Sequence, residues 1–240
     1  MMNIFYAPPS QINNGFAELL DKEAIHASKV MRAREGDRIR IVDGEGGHYQ
    51  GVIRRITKKS VQVEIENEQH DSRPKPHLVL GMGIIKKRDR LEFAVEKAIE
   101  LGASQICLFR SEHTIKENVR MDRLESLAIS AMKQSLQSHL CKVEIYHSLD
   151  VMLNAFSVDD ILVAHEKVDE SNGDFDYKSV RNSERTLLLV GPEGGFSENE
   201  ISDLTDKGAQ LISLGPNRLR TETAAIAFIS QFLKIKKPDS

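Results

Sequence analysis

Apolar residues in the second two-thirds of the chain are grouped in short runs that polar segments separate. Each run has the length of one strand, and an uninterrupted apolar run is typical of a strand buried on both faces. The runs lie at 77–82, 105–109, 161–164, 187–190 and 211–214. Between the first two, apolar residues recur with a period near 3.6 over 89–101, which predicts a helix that ends at Gly102. Strands that alternate with helices predict an α/β fold with a parallel sheet.

The first 72 residues have a different pattern, in which apolar and polar residues alternate. The predicted strands are 38–42, 49–56 and 60–65, and the glycine-rich segment 43–47 joins the first two as a hairpin turn. A helix is predicted over 21–34, with Asp21 as its cap and Gly36 just past its end. This part of the chain is therefore expected to be a small β domain.

A polar segment with spaced prolines, residues 71–76, follows the β domain and is typical of a semi-rigid linker. It predicts two domains, residues 1–72 and 73–240. In the second domain, further helices are predicted over 123–140 and from Ala224 to Leu233.

The composition excludes several classes of protein. No segment approaches the roughly 18 apolar residues of a membrane span, and the N-terminus lacks the pattern of a signal peptide. Cys107 and Cys141 do not have the spacing of metal ligands, so we expect buried thiols, a cytoplasmic protein and no metal. The net charge of −3 argues against a protein that coats nucleic acid indiscriminately.

Basic residues are nevertheless concentrated between residues 30 and 60, a segment that contains eight Lys or Arg residues and four acidic residues. Such a cluster is either a solvated face or a patch that binds RNA phosphates. Arg32 and Arg34 lie at its beginning. The pattern alone leaves both alternatives open.

Two glycine-containing turns near the C-terminus concentrate the candidate chemistry. The sequence G-P-E-G-G-F at 191–196 and the sequence G-P-N-R-L-R-T-E-T-A-A at 215–225 each follow an apolar run. Two strand ends that lead into such turns form a crevice in which backbone groups can hold a polar small molecule. Neither turn has a phosphate-binding glycine spacing, which favours a nucleoside-like ligand over one bound through its phosphates. The alternative is that both are merely tight turns, although their polarity exceeds what turns require.

These two turns resemble the corresponding segments of the RsmE family of ribosomal RNA methyltransferases. The resemblance extends, with gaps, from Arg32 to Ala225, and it includes a K-x-D-R-x-E match that begins at Lys87. It implies a PUA-like RNA-binding β-barrel over 1–72 and a SPOUT-class α/β domain with a C-terminal trefoil knot over 73–240. It also implies a homodimer that uses S-adenosyl-L-methionine to methylate N3 of a uridine in 16S ribosomal RNA of the small ribosomal subunit.

The resemblance and the chemistry together suggest roles for individual residues. Arg220 is the candidate donor to the negative charge that develops on the uracil oxygens, and Glu222 is a candidate base, with solvent as the alternative. The expected cofactor-binding residues are Leu189, Gly191, Glu193, Gly194, Gly195, Leu214, Gly215, Leu219, Thr221, Thr223 and Ala224. The expected RNA-binding residues are Arg32, Arg34, Lys87 and Arg90. His165 and Glu166, at a strand end, are expected to border the cofactor pocket rather than to carry out acid–base chemistry.

The chain departs from the family pattern in two places. Family members usually have an acidic residue, Gln and then Ser-Gly-Arg where this chain has Lys133-Gln134-Ser135-Leu136-Gln137, and many have Arg at the position of Asn217. These departures support two alternatives. One is a non-catalytic RNA-binding or ribosome-assembly module with a degenerate pocket, and the other is an α/β enzyme that uses a different adenosine-containing ligand.

Overall fold

The computed structural model describes residues 4–112, 119–166, 168, 177, 180 and 183–233. Its internal contacts divide the chain into two units. The first comprises the residues up to Arg73 together with Ile129–Leu140, and the second comprises Pro74–Ala128 and the residues from Cys141 onward. The sequence analysis did not predict that Ile129–Leu140 belongs with the first unit.

The first unit is built on a curled six-stranded sheet. Its strands are β1 (Ile4–Tyr6), β2 (Ile12–Asn13), β3 (Phe16–Leu20), β4 (Arg38–Val42), β5 (Gly47–Ile56) and β6 (Ser60–His70), in the spatial order β1-β4-β5-β6-β3-β2. All neighbours are antiparallel except β1 and β4. Two register shifts between β5 and β6 bend the sheet around an apolar core that includes Phe5, Leu19 and Ile53. The alternating pattern of the sequence is confirmed.

The helix predicted over 21–34 is shorter and less regular than expected. Helix α1 (Asp21–Ile25) continues as a π-helical turn at His26–Val30, and Arg32 then adopts a left-handed φ of 53°. The expectation that Asp21 caps the helix is wrong. Leu20 is the N-cap residue without a side-chain hydrogen bond, and Asp21 itself has a φ of 46°.

The second unit is an α/β structure built on a six-stranded sheet. Its elements are β7 (His77–Gly83), α2 (Arg88–Glu100), β8 (Gln105–Phe109), the first part of α3 (Met121–Gln134), β9 (Lys142–Tyr146), α4 (Leu149–Leu153), β10 (Asp160–Ala164), β11 (Arg185–Val190), α5 (Glu198–Asp206), β12 (Gln210–Ile212) and α6 (Thr221–Ser230). From Ile129 onward, α3 belongs to the first unit. The spatial order is β12-β10-β11-β7-β8-β9, and every neighbouring pair is parallel. The expected parallel sheet is confirmed.

Helix α3 ends earlier than the sequence predicts, at Gln134 rather than near residue 140. Gln137 N–H donates to the Met132 carbonyl at 3.0 Å and Leu136 N–H donates to the Lys133 carbonyl at 3.3 Å. These two bonds and the left-handed φ of 61° at Leu136 form a Schellman C-cap. The apolar spacing continues past Gln134, but the cap ends the helix.

The central strands β7, β8 and β11 are buried, as expected of a parallel sheet covered on both faces. None of the helices in the described part of the chain is long and apolar enough to cross a bilayer. The described residues also contain no cluster of three or more His, Cys, Asp or Glu side chains that could hold a metal ion.

Candidate active site

A cavity of about 1090 Å³ opens at the carboxyl ends of strands β10, β11 and β12. Strand β10 lies between β12 and β11, so the segments that leave β11 and β12 pass on either side of its carboxyl end. In an open parallel sheet, such a place is where ligands bind. The lining residues are Arg90, 164–166, 190–198, Ile201, 213–222 and Ala224. The two glycine-containing turns of the sequence therefore form the same cavity.

The turn after β11 is compact because its glycines allow close backbone contact. A Cβ atom added at Gly191 would lie 3.0 Å from the carbonyl carbon of Gly195, and one added at Gly83 would lie 2.5 Å from the backbone nitrogen of Pro192. Gly195 has a φ of 73°, and its N–H donates to the Pro192 carbonyl at 2.9 Å. The backbone at Gly191 is thus packed too closely for a side chain, and the positive φ of Gly195 favours glycine.

Helix α5 begins directly at the cavity, a feature that the sequence analysis missed. Ser197 Oγ accepts from Glu200 N–H at 3.1 Å, and the Glu200 carboxylate accepts from Ser197 N–H at 2.8 Å, which completes a capping box. The S-E-N-E sequence at 197–200 is a recognisable signal for this motif. Phe196, just before the cap, stacks on Phe109 with ring centroids 6.1 Å apart.

The turn after β12 forms the opposite wall. The strand ends at Ile212, and Gly215 adopts a φ of 122°, which residues other than glycine rarely tolerate. Ser213 Oγ accepts from Gly215 N–H at 3.3 Å, and helix α6 starts six residues later. Asn217, one of the departures from the family pattern, is exposed in this wall.

Nine of the eleven expected cofactor-binding residues line the cavity: Gly191, Glu193, Gly194, Gly195, Leu214, Gly215, Leu219, Thr221 and Ala224. The other two do not. Leu189 is fully buried in the core beneath the sheet edge, where it packs against Gly81, and Thr223 is exposed on α6. His165 and Glu166 line the cavity, as expected, as do Phe196 and Ile201, which the sequence did not indicate.

Three arginines line the cavity, and two of them are paired with carboxylates. Arg90 Nε lies 3.5 Å from Glu222 Oε1, and Arg218 Nε lies 3.3 Å from Glu166 Oε2. Arg220 is exposed, and among the described residues no carboxylate forms an ion pair with its guanidinium. Its charge is therefore available to a ligand in the cavity.

Glu193 and Glu222, two of the carboxylates predicted near the site, have different environments. Glu193 is exposed, and its Oε1 accepts from Lys86 N–H at 3.0 Å. Glu222 is buried, with 8% of the residue accessible, and lies in the first turn of α6. A carboxylate at this position interacts favourably with the positive end of the helix dipole.

The four expected RNA-binding residues do not share one environment. Arg32 and Arg34 are exposed in the first unit, while Lys87 is the exposed N-cap residue of α2 in the second unit. Arg90 is half-buried and faces Glu222. Within the basic segment 30–60, Arg38 and Arg54 are paired with Glu66 and Glu64 of strand β6.

Comparison with known proteins assigns the second unit to a family. An RNA methyltransferase domain model matches residues 72–233, and a model of the RNA methyltransferase PUA domain matches residues 19–66. The chain belongs to the RNA methyltransferase family. The expected PUA-like first domain and α/β second domain are confirmed at the level of fold class.

Comparison with individual relatives supports this assignment. This chain is 31% identical to ribosomal RNA small subunit methyltransferase E of Rickettsia conorii, over 95% of this chain and 94% of the relative. It is 27% identical to the Bacillus subtilis protein of the same name, over 87% of this chain and 86% of that protein. The crystal structure of the Neisseria gonorrhoeae protein of this name, bound to S-adenosyl methionine, superposes with a TM-score of 0.83 at 28% identity. That superposition covers 96% of both chains.

Proposed function

We propose that this methyltransferase transfers a methyl group from S-adenosyl-L-methionine to N3 of a uridine in 16S ribosomal RNA. The observation that carries the proposal is the cavity whose walls are the two glycine-containing turns. Its volume of about 1090 Å³ is slightly above the range typical of small-molecule sites, about 300–1,000 Å³. The similarity to a chain that binds S-adenosyl methionine supports the same ligand here.

The walls of the cavity fit this cofactor chemically. Backbone groups at Gly191, Gly194, Gly195 and Gly215 would hold the polar groups of the nucleoside, and Leu214 and Leu219 would cover its apolar surface. When bound, S-adenosyl-L-methionine supplies an electrophilic methyl group on a positively charged sulfur. Because the reaction is an in-line displacement, positioning by the protein contributes much of the acceleration.

The uracil N3 atom must lose its proton, and negative charge then develops on the neighbouring oxygens. We assign stabilisation of this charge to Arg220, because it is the one of the three arginines lining the cavity that forms no ion pair with a described carboxylate. The proton passes either to the Glu222 carboxylate or to solvent. The pH dependence of Glu222→Gln separates these routes: if the carboxylate is the base, rising pH relieves the loss of rate, whereas a loss that does not change with pH assigns Glu222 to positioning.

Titration with S-adenosyl-L-methionine in a calorimeter tests the cavity, and two glycines provide a matched pair of variants. Gly195 and Gly208 have φ values of 73° and 83°, and a Cβ atom at either would contact nothing within 4 Å. Ala at each position therefore introduces similar backbone strain, about 1–3 kcal/mol, but only Gly195 lines the cavity. We expect Gly195→Ala to weaken binding by about tenfold or more and Gly208→Ala to leave it unchanged.

Methyl transfer is then measured on 16S ribosomal RNA, both free and in the small subunit, with the modified nucleoside identified by mass spectrometry. Formation of 3-methyluridine supports the proposal. No saturable binding of the cofactor by the unmodified protein would contradict it and favour the non-catalytic RNA-binding module.

Several features of the family remain proposals for this chain. We propose the domain division 1–72 and 73–240, a C-terminal trefoil knot, a homodimer and a cytoplasmic location, where the small ribosomal subunit is found. The knot is supported by the chain path, because β12 lies at the sheet edge while the following helix α6 packs against α2, β7 and β11. Arg32, Arg34 and Lys87, all exposed cations, are proposed to bind RNA phosphates.

A further inference from the structure

Glu222 is held by an arginine from a different helix. The Arg90 Nε atom lies 3.5 Å from Glu222 Oε1, and both residues line the cavity. The side chain of Glu222 is 11% exposed and that of Arg90 is 29% exposed. The pair is therefore largely removed from water, where an ion pair is much more sensitive to loss of either partner than it is on the surface.

The position of Arg90 in its own helix does not explain its charge. Arg90 is the third residue of α2, and the positive end of the helix dipole disfavours a cation in the first turn. Glu222 is the second residue of α6, where the dipole favours its negative charge. The contact with Glu222 thus offsets the unfavourable interaction between the charge of Arg90 and the dipole of α2.

Glu222 lies in the same helical turn as the proposed catalytic arginine, Arg220. Arg220 is the N-cap residue of α6, and its carbonyl accepts from Ala224 N–H at 2.8 Å. The N-cap residue makes no side-chain capping bond, so the helix start is not fixed by a cap side chain. An ion pair to Glu222, two residues further on, would restrict the rotation of this first turn and, through it, the backbone at Arg220.

We propose that Arg90 is a positioning residue, which orients Glu222 and the first turn of α6 so that Arg220 points into the cavity. The inference rests on the proposed function and extends it. It differs from the phosphate-binding role that the family resemblance gives Arg90, because the charge of its guanidinium is already compensated by the Glu222 carboxylate.

Steady-state kinetics distinguish the two roles. If Arg90 positions the site, Arg90→Gln lowers kcat by about 10- to 100-fold, the size of effect expected from displaced catalytic groups, and leaves the KM for RNA within about twofold. If Arg90 binds a phosphate, KM rises, kcat is retained and the salt dependence of RNA binding becomes less steep. The second result would overturn the proposal.

The chain offers a matched control and a conservative variant. Arg88 lies in the same first turn of α2, pairs with Glu92 at 3.5 Å, is 46% exposed and does not line the cavity. Arg88→Gln should therefore leave kcat unchanged. Arg90→Lys keeps the charge but loses the planar fork, so we expect partial recovery of kcat. No recovery with Lys, together with an equal loss in Arg88→Gln, would contradict a specific role for Arg90.

A double-mutant cycle tests the pair without requiring any activity. Thermal unfolding of Arg90→Gln, Glu222→Gln and the double variant should show strong coupling, with the double variant no less stable than Arg90→Gln alone. Additive destabilisation would overturn the proposal. If the unmodified protein has no activity but the coupling is present, the proposed function fails while the ion pair stands.

Discussion

Arg220 is exposed at the N-terminus of helix α6. Its proposed role rests on the observation that no described carboxylate forms an ion pair with it. We expect Arg220→Ala to lower the rate of methyl transfer by at least about 10²-fold, since removing one preorganised donor to a developing oxyanion has effects of this size. The affinity for S-adenosyl-L-methionine should stay within a few-fold. Single-turnover kinetics combined with calorimetry measures both quantities.

Arg220→Lys serves as the comparison for this variant. Lysine keeps the positive charge but presents a single point donor, so it should recover part of the rate. Simultaneous loss of cofactor binding and of activity in Arg220→Ala would assign the residue to the cofactor pocket instead.

Leu136 occupies a position whose backbone favours glycine. It is the C′ residue of the Schellman motif that ends α3, with a φ of 61°, and 64% of its surface is exposed. Its side chain therefore gains little from burial, while the left-handed conformation costs an ordinary residue roughly 1–2 kcal/mol. The glycine of the family pattern suits this left-handed position, and the leucine of this chain adopts it at an energetic cost.

We expect Leu136→Asn to stabilise the protein by roughly 1 kcal/mol, because asparagine tolerates the left-handed conformation. Urea unfolding measures the change in midpoint. Val151→Asn is the control, since Val151 is also exposed, at 41%, but is in the right-handed helix α4. An equal gain in both variants would show that removal of exposed apolar surface, rather than relief of backbone strain, is responsible.

At the scale of elements, Lys133 explains a second departure from the family pattern. Its Nζ atom lies 2.5 Å from Glu23 Oε1, and the two side chains are 13% and 15% exposed. Glu23 Oε2 also accepts from Tyr6 N–H at 3.0 Å. Within the first unit, Lys133 thus joins the end of α3 to α1 and β1, and an acidic residue at position 133 would instead repel Glu23.

We expect Lys133→Met to destabilise the protein by about 3 kcal/mol or more, because it leaves a largely buried carboxylate unpaired. Adding Glu23→Gln should restore much of the loss, since glutamine still accepts from Tyr6 N–H. Denaturant unfolding of the single and double variants measures the coupling. Arg38→Met, which breaks an exposed pair with Glu66, should cost less than about 1 kcal/mol and serves as the control.

On the scale of the whole molecule, the reactivity of the two buried cysteines measures how often the second unit unfolds and exposes them. Cys107 and Cys141 are 0% and 3% exposed. Burial raises the pKa of the Cys107 thiol to about 12 and raises that of Cys141 as well. A folded-state pKa above the ordinary value of about 8.5 means that the reactive thiolate is scarce at pH 8.

The native protein should therefore react with a thiol reagent at pH 8 much more slowly than the protein unfolded in guanidinium chloride. The reaction is followed by absorbance, and mass spectrometry assigns the modified residue. Rapid labelling of either thiol without denaturant would contradict the buried environment.

The proposed homodimer is also tested on the intact molecule. Light scattering at micromolar concentration should give about twice the chain mass of 27.0 kDa. A mass equal to that of one chain would argue against the homodimer.

The features that could be predicted from the sequence all depend on interactions between neighbouring residues. The period of apolar residues predicted the parallel strands, helix α2 and the alternating first unit, because burial on one or both faces acts over neighbouring residues. The glycine turns at 191–196 and 215–225 marked the two walls of the cavity, since left-handed or closely packed backbone requires glycine.

Contacts between residues that are distant in the sequence could not be predicted and became visible in the fold. The tertiary structure placed Leu189 in the core and Thr223 on the surface, outside the cavity wall, although both neighbour residues that line it. It also paired Arg90 with Glu222 and Lys133 with Glu23, across 132 and 110 positions of the sequence. Such contacts depend on strand order and helix packing over the whole chain, and the periodicity of any one segment carries no information about them.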